Sequence, residues 1–76
     1  LVLINNPVNK AALLGKAGIY FKEAKYTEAR ALYQLLLLLN AEDSDALNGL
    51  GRINLAEKKM EVAAFYFDKS LAIEPN

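Results

Sequence analysis

The chain has 76 residues, 54% of them apolar, with nine basic side chains balancing nine acidic ones and neither cysteine nor histidine. One small domain is the most that this length holds, and a core of that size rarely leaves more than about 3 to 5 kcal/mol of stability. Disulfides, thiol nucleophiles, imidazole bases and the usual zinc sites are excluded, and the charge balance removes any global electrostatic case for nucleic acid or an anionic membrane.

The apolar stretch Leu1 to Ile4 is followed by Asn5, Asn6 and Pro7, a helix-stop and turn signal. It is too short for a signal peptide and lacks a basic leader and a small-residue cleavage site. Pro7 is in step with Ala41 and Pro75, and Leu3 with Leu37 and Leu71, at a period of 34 residues. Residues 1–9 are therefore expected to be the end of an earlier repeat's second helix and the turn after it. The plain alternative is a run that happens to be apolar.

From Lys10 onward the chain repeats at that same period: Ala12 matches Ala46, Leu13 Leu47, Gly15 Gly49, Ile19 Ile53, Glu23 Glu57, Lys25 Lys59, Ala29 Ala63 and Leu37 Leu71. Self-similarity of this length marks stacked supersecondary units. Four helices are predicted, near 10–23, 27–40, 44–57 and 61–74, so that residues 10–43 form one repeat and 44–76 a second. Asn9 and Thr27 are expected to cap the first two helices, and Asp43 or Ser44 the third. Glu42, Asp43 and Asp45 cluster at that helix's positive end, where the helix dipole accounts for them without a metal. Lys58 and Lys59 suit its other end.

Within residues 45–76, Leu47, Leu50, Gly51, Ala63, Phe67 and Pro75 fall on marked positions of the pattern W-x2-L-G-x2-Y, A-x3-F and P, with Leu47 in the tryptophan slot and Asn54 in the tyrosine slot. The stretch thus resembles a tetratricopeptide (TPR) repeat. A looser first copy carries Leu13, Lys16, Ala17, Tyr20, Ala29, Tyr33 and Ala41 in the same slots. The resemblance implies an all-α solenoid of antiparallel helix pairs, stacked as right-handed hairpins and expected to be cut from a longer array. It also implies close helix approach at Gly51 and Ala63, and at Ala17 and Ala29. Gly49-Leu50-Gly51 suits helix packing rather than a phosphate loop, because no third glycine follows at the right spacing and no strand precedes it.

On the first helix of each copy a second stripe remains: Leu14, Gly18, Phe21 and Lys22, then Asn48, Arg52, Leu55 and Ala56. By resemblance it lines a concave groove for an extended peptide or a partner helix. Asn48 suits a peptide backbone, Arg52 a carboxylate, and Phe21 and Leu55 apolar side chains. The competing reading is a solvated face, or one that packs on a neighbouring repeat. Some relatives grip an acidic C-terminal tail with Lys and Asn one turn apart on this helix; Leu14 and Gly18 stand there instead, which argues against such a clamp.

Leu35 to Leu39 is an unbroken apolar run in a helix whose outer face would ordinarily be polar. Leu36, Leu37 and Leu39 are expected to be buried, while Ala31, Leu35 and Leu38 form a stripe on the convex side, continued by Phe65 and Ala72. That stripe is read as a protein contact, either with a second copy in a homo-oligomer or with more of a parent protein, the alternative being an apolar surface without a partner. Gln34 interrupts the run far short of the ~20 apolar residues of a membrane span, so no membrane insertion is expected. Tyr33-Gln34, Asp43-Ser44 and Leu50-Gly51 also bear a weaker resemblance to the repeats of bacterial secretion chaperones.

A protein-interaction module, whether scaffold, adaptor or chaperone-like holder, is therefore the leading expectation, with self-assembly through the convex face as the alternative. No cofactor, metal or nucleic acid is called for. Glu23, Glu28, Glu57 and Glu61 lie near turns without a base or nucleophile beside them, which speaks against an enzyme. The absence of cysteine suits cytoplasm without establishing it. A further helix is expected to cover Phe65, Tyr66, Leu71 and Ile73.

Overall fold

A computed structural model describes residues 9–74. They form four helices, α1 (Lys10–Lys22), α2 (Tyr26–Leu39), α3 (Ser44–Ala56) and α4 (Met60–Ile73), each within one residue of its predicted bounds. No strand occurs among the described residues. The readings of Leu1 to Asn6 and of Pro75 fall outside them.

Local chemistry sets the helix ends. Asn9 caps α1 by accepting the Ala12 backbone N–H at 3.1 Å, and Asp43 caps α3 by accepting that of Ala46, also at 3.1 Å. Thr27 does not cap α2. That helix begins at Tyr26, after Lys25 and without a side-chain cap, so Thr27 lies inside the first turn. The reason is the turn before it, which already ends in a hydrogen-bonded geometry. The Lys25 N–H reaches back to the Tyr20 carbonyl at 2.8 Å, and the Ala24 N–H to that of Phe21 at 3.0 Å. This is a Schellman closure, with Ala24 in the left-handed region at φ 61°. It recurs between α3 and α4, where Lys59 donates to Asn54, Lys58 to Leu55, and Lys58 has φ 64°.

Two hairpins, α1–α2 and α3–α4, stack through α2 against α3, whereas α1 touches α3 only lightly and α4 packs on α3 alone among the described helices. The core is built from small residues beneath large ones. Ala17, Ala29, Ala46 and Ala63 are buried with Tyr33, Leu36, Leu47, Leu50 and Ile53. Burying each of the larger aliphatic chains stabilises the fold by about 1.5–3 kcal/mol.

Both α3 glycines are seats for aromatic rings. A Cβ on Gly49 would run into the Tyr33 ring from α2, and one on Gly51 would come within 2.7 Å of the Phe67 ring from α4. Asn54, in the tyrosine slot, is buried and satisfies its amide within its own helix by donating to the Leu50 carbonyl at 2.8 Å. Leu36 is buried and Leu37 half-buried, but Leu39 is exposed, against expectation. It is the last residue of α2 and, with Leu38, lies off the face that buries Leu36.

Polar contacts join the hairpins at three places. Lys10 of α1 pairs with Asp43 at 3.4 Å and Asp45 at 3.3 Å at the start of α3. Arg30 of α2 pairs with Glu57 just past the end of α3. The Arg52 guanidinium of α3 lies 4.7 Å from the centre of the Phe21 ring of α1. The acidic cluster read as a helix-dipole feature therefore also receives a cation from the other hairpin.

Candidate functional site

The face that α1 and α3 share carries a cavity of about 510 Å3, lined by Leu14, Gly18, Tyr33, Asp45, Asn48, Gly49, Arg52 and Phe67. Its geometry follows from the two ring seats. Glycine at 49 and 51 lets Tyr33 and Phe67 lie against the α3 backbone, so each ring reaches through to the α1–α3 side. Leu14 and Gly18 contribute from α1, and Asn48 and Arg52 stand one turn apart on α3.

Four of the eight residues expected along the concave stripe, Leu14, Gly18, Asn48 and Arg52, meet in this cavity. The other four do not line it. Phe21 lies beneath the Arg52 guanidinium, so its ring is covered by that cation rather than open to a ligand's apolar side chain. Lys22 closes α1 as its last residue, and Leu55 and Ala56 are exposed at the end of α3.

Tyr33, Gly49, Phe67 and Asp45 were not part of the predicted stripe. A signal for the first three existed: Tyr33 and Phe67 are both aromatic at the 34-residue period, and glycine in a helix interior asks for a close neighbour. Electrostatics here are mixed. Burial pushes the Tyr33 hydroxyl above its ordinary value, the Arg52 charge pulls it back, and Asp45 adds to the rise.

On the opposite side, between α2 and α4, lies a groove of about 550 Å3 lined by Ala31, Gln34, Leu35, Leu37, Leu38, Leu50 and Tyr66. Three of the five convex-stripe residues, Ala31, Leu35 and Leu38, are in it, and Leu38 is 85% exposed. Phe65 is exposed outside the groove with the Lys69 ammonium 5.4 Å from its ring centre, and Ala72 is also exposed outside it. No group of three or more metal-ligating side chains is found among the described residues. No described helix is long and apolar enough to cross a membrane.

The repeated hairpins, the small residues under large ones and the open helical face define a helical-repeat protein. A Tetratricopeptide repeat family model matches residues 2–38 and 24–76, and the chain belongs to that family. It is also 36% identical over 70 residues to the "Cellulose synthase operon protein C" of Komagataeibacter xylinus, an alignment that covers 91% of this chain and 5% of that protein. The chain thus spans a small part of that relative's length. Repeats of this family are non-catalytic and generally mediate protein–protein interaction.

Proposed function

We propose that the α1–α3 face receives an extended segment of a partner protein, with residues 10–43 and 44–76 as the two repeats that build it. The cavity floored by Tyr33 and Phe67 carries this reading. Its apolar rings suit a partner's apolar side chain, while Asn48 has donors and an acceptor for a peptide backbone. Arg52 suits a carboxylate on the same segment, and Asp45 at the start of α3 sets a direction by disfavouring acid there. A scaffold, adaptor or chaperone-like holder uses such a face in the same way.

The test is an array of extended peptides in which each position is in turn acidic, apolar or basic. Binding is expected to select an acid next to an apolar residue, and Arg52→Ala combined with Asn48→Ala weakens it by about 2 kcal/mol or more, near thirty-fold. Leu35→Lys with Leu38→Lys leaves it unchanged. The reverse pattern would transfer the function to the convex groove, the second reading, which the 85% exposure of Leu38 above an apolar hollow favours.

A further inference from the structure

Along the outward side of α2, Ala31, Gln34, Leu35 and Leu38 recur at helical spacing as one stripe, and all four are exposed. No residue from Ala31 to Leu39 carries a charge. The stripe borders the groove between α2 and α4, to which Leu50 of α3 also contributes, so described helices bound that groove on both sides. Its relief is uneven. Leu38 stands 85% exposed as a knob at one end, whereas Ala31 at the other end offers only a methyl group and leaves a hollow. The two lie about 10 Å apart along the helix axis.

That relief selects the occupant. A knob and a hollow on one stripe fit each other when a second stripe runs the opposite way, because reversal about the midpoint between Gln34 and Leu35 exchanges Ala31 with Leu38. The match is then made twice, once at each end. Gln34 falls beside the axis, and an amide carries both donors and an acceptor, so it pairs with its own copy where a charged group would repel itself. With no charge along the stripe, nothing opposes a second copy and nothing favours a partner of opposite charge.

We propose that a second copy of this chain docks on this groove about a two-fold axis through the middle of α2, with the two α2 helices antiparallel and each Leu38 seated over the Ala31 of the other copy. The contact is isologous, so it closes at the dimer. One helical stripe and the wall of a groove on each side make a small interface, so association is expected between micromolar and millimolar concentration. It leaves the α1–α3 face open and therefore stands or falls apart from peptide binding there.

Sedimentation of the 76-residue chain across that range tests it. The average mass is expected to rise with concentration and level off at the dimer. Leu38→Ala removes the knob and Ala31→Leu fills the hollow, so each variant alone is expected to associate at least about ten-fold more weakly. An equimolar mixture of the two restores association, since one copy then supplies both knobs and the other both hollows. Both positions are exposed, so the variants are expected to stay helical, which circular dichroism checks. Single cysteines read the direction, the chain having none of its own: under mild oxidation Gln34→Cys crosslinks to its own copy beside the axis, while Ala31→Cys, more than roughly 10 Å from its own copy, does not. Monomers throughout the range overturn the proposal and leave the groove to a different protein or a further segment of a longer chain. A mass that climbs past the dimer, a mixture that fails to recover, or Ala31→Cys crosslinking as readily as Gln34→Cys overturns it as well.

Discussion

Ala24 and Lys58 hold φ values of 61° and 64°, a region in which a side chain costs about 1–2 kcal/mol and glycine does not. Each closes a Schellman turn whose two hydrogen bonds require that conformation, so the backbone accepts the strain in order to satisfy the last carbonyls of α1 and α3. Ala24→Gly and Lys58→Gly are expected to stabilise the chain by about 0.5–1 kcal/mol each, after allowance for the greater freedom of glycine in the unfolded state. A thermal melt reads this as a rise of about 3–6 °C per site for a domain this small. Neither turn was legible from residue type, since alanine and lysine carry no preference for positive φ. Only the hydrogen-bonding demands of two helices meeting there impose it. Asn9 and Asp43, by contrast, were legible as caps, because a cap acts on backbone three residues away and needs no tertiary partner.

Among the helices, α3 sets the architecture. It contacts each of the other three, and its buried residues face two neighbours at once, with Leu50 and Ile53 in one cluster with Tyr33 and Leu36 of α2 and Gly51 against Phe67 of α4. Two substitutions of identical chemistry should therefore differ in sign. Gly15→Ala adds a methyl to open space and gains helix propensity, about 1 kcal/mol. Gly49→Ala gains the same propensity but drives the methyl into the buried Tyr33 ring, for an expected net loss of about 1–2 kcal/mol. Urea unfolding of the two variants measures both. From the sequence these glycines are equivalent by period. The difference lies in what stands against each helix, which periodicity cannot state. The same limit explains Leu39, apolar in a run of leucines yet exposed, because a run covers every side of a helix and only one side meets a neighbour.

For the molecule as a whole, the two hairpins are held by the apolar α2–α3 contact and by polar clasps, and alkaline pH acts on both. Lys10 is raised above its ordinary value mainly by its hydrogen bond with Asp45 and also by Asp43, and Tyr33 is raised by burial. A group whose proton is held more tightly in the folded state contributes stability that is complete below its unfolded value and is lost as pH climbs through the folded one. Both shifts point the same way, so the melting temperature is expected to fall above about pH 10, and Tyr33→Phe should remove part of that fall while Lys10→Met removes another part. Sequence alone determined that this chain is helical, where its four helices lie to within a residue, that they recur every 34 residues and that they belong to stacked hairpins. These are carried by apolar spacing and by caps that act within one turn of backbone. Tertiary structure decided that Tyr33 and Phe67 floor the α1–α3 face, that Arg52 rests on Phe21, and that Lys10 and Arg30 reach across to the neighbouring hairpin. Those contacts join side chains far apart in sequence, and they exist only once one hairpin has docked on the other at a particular angle.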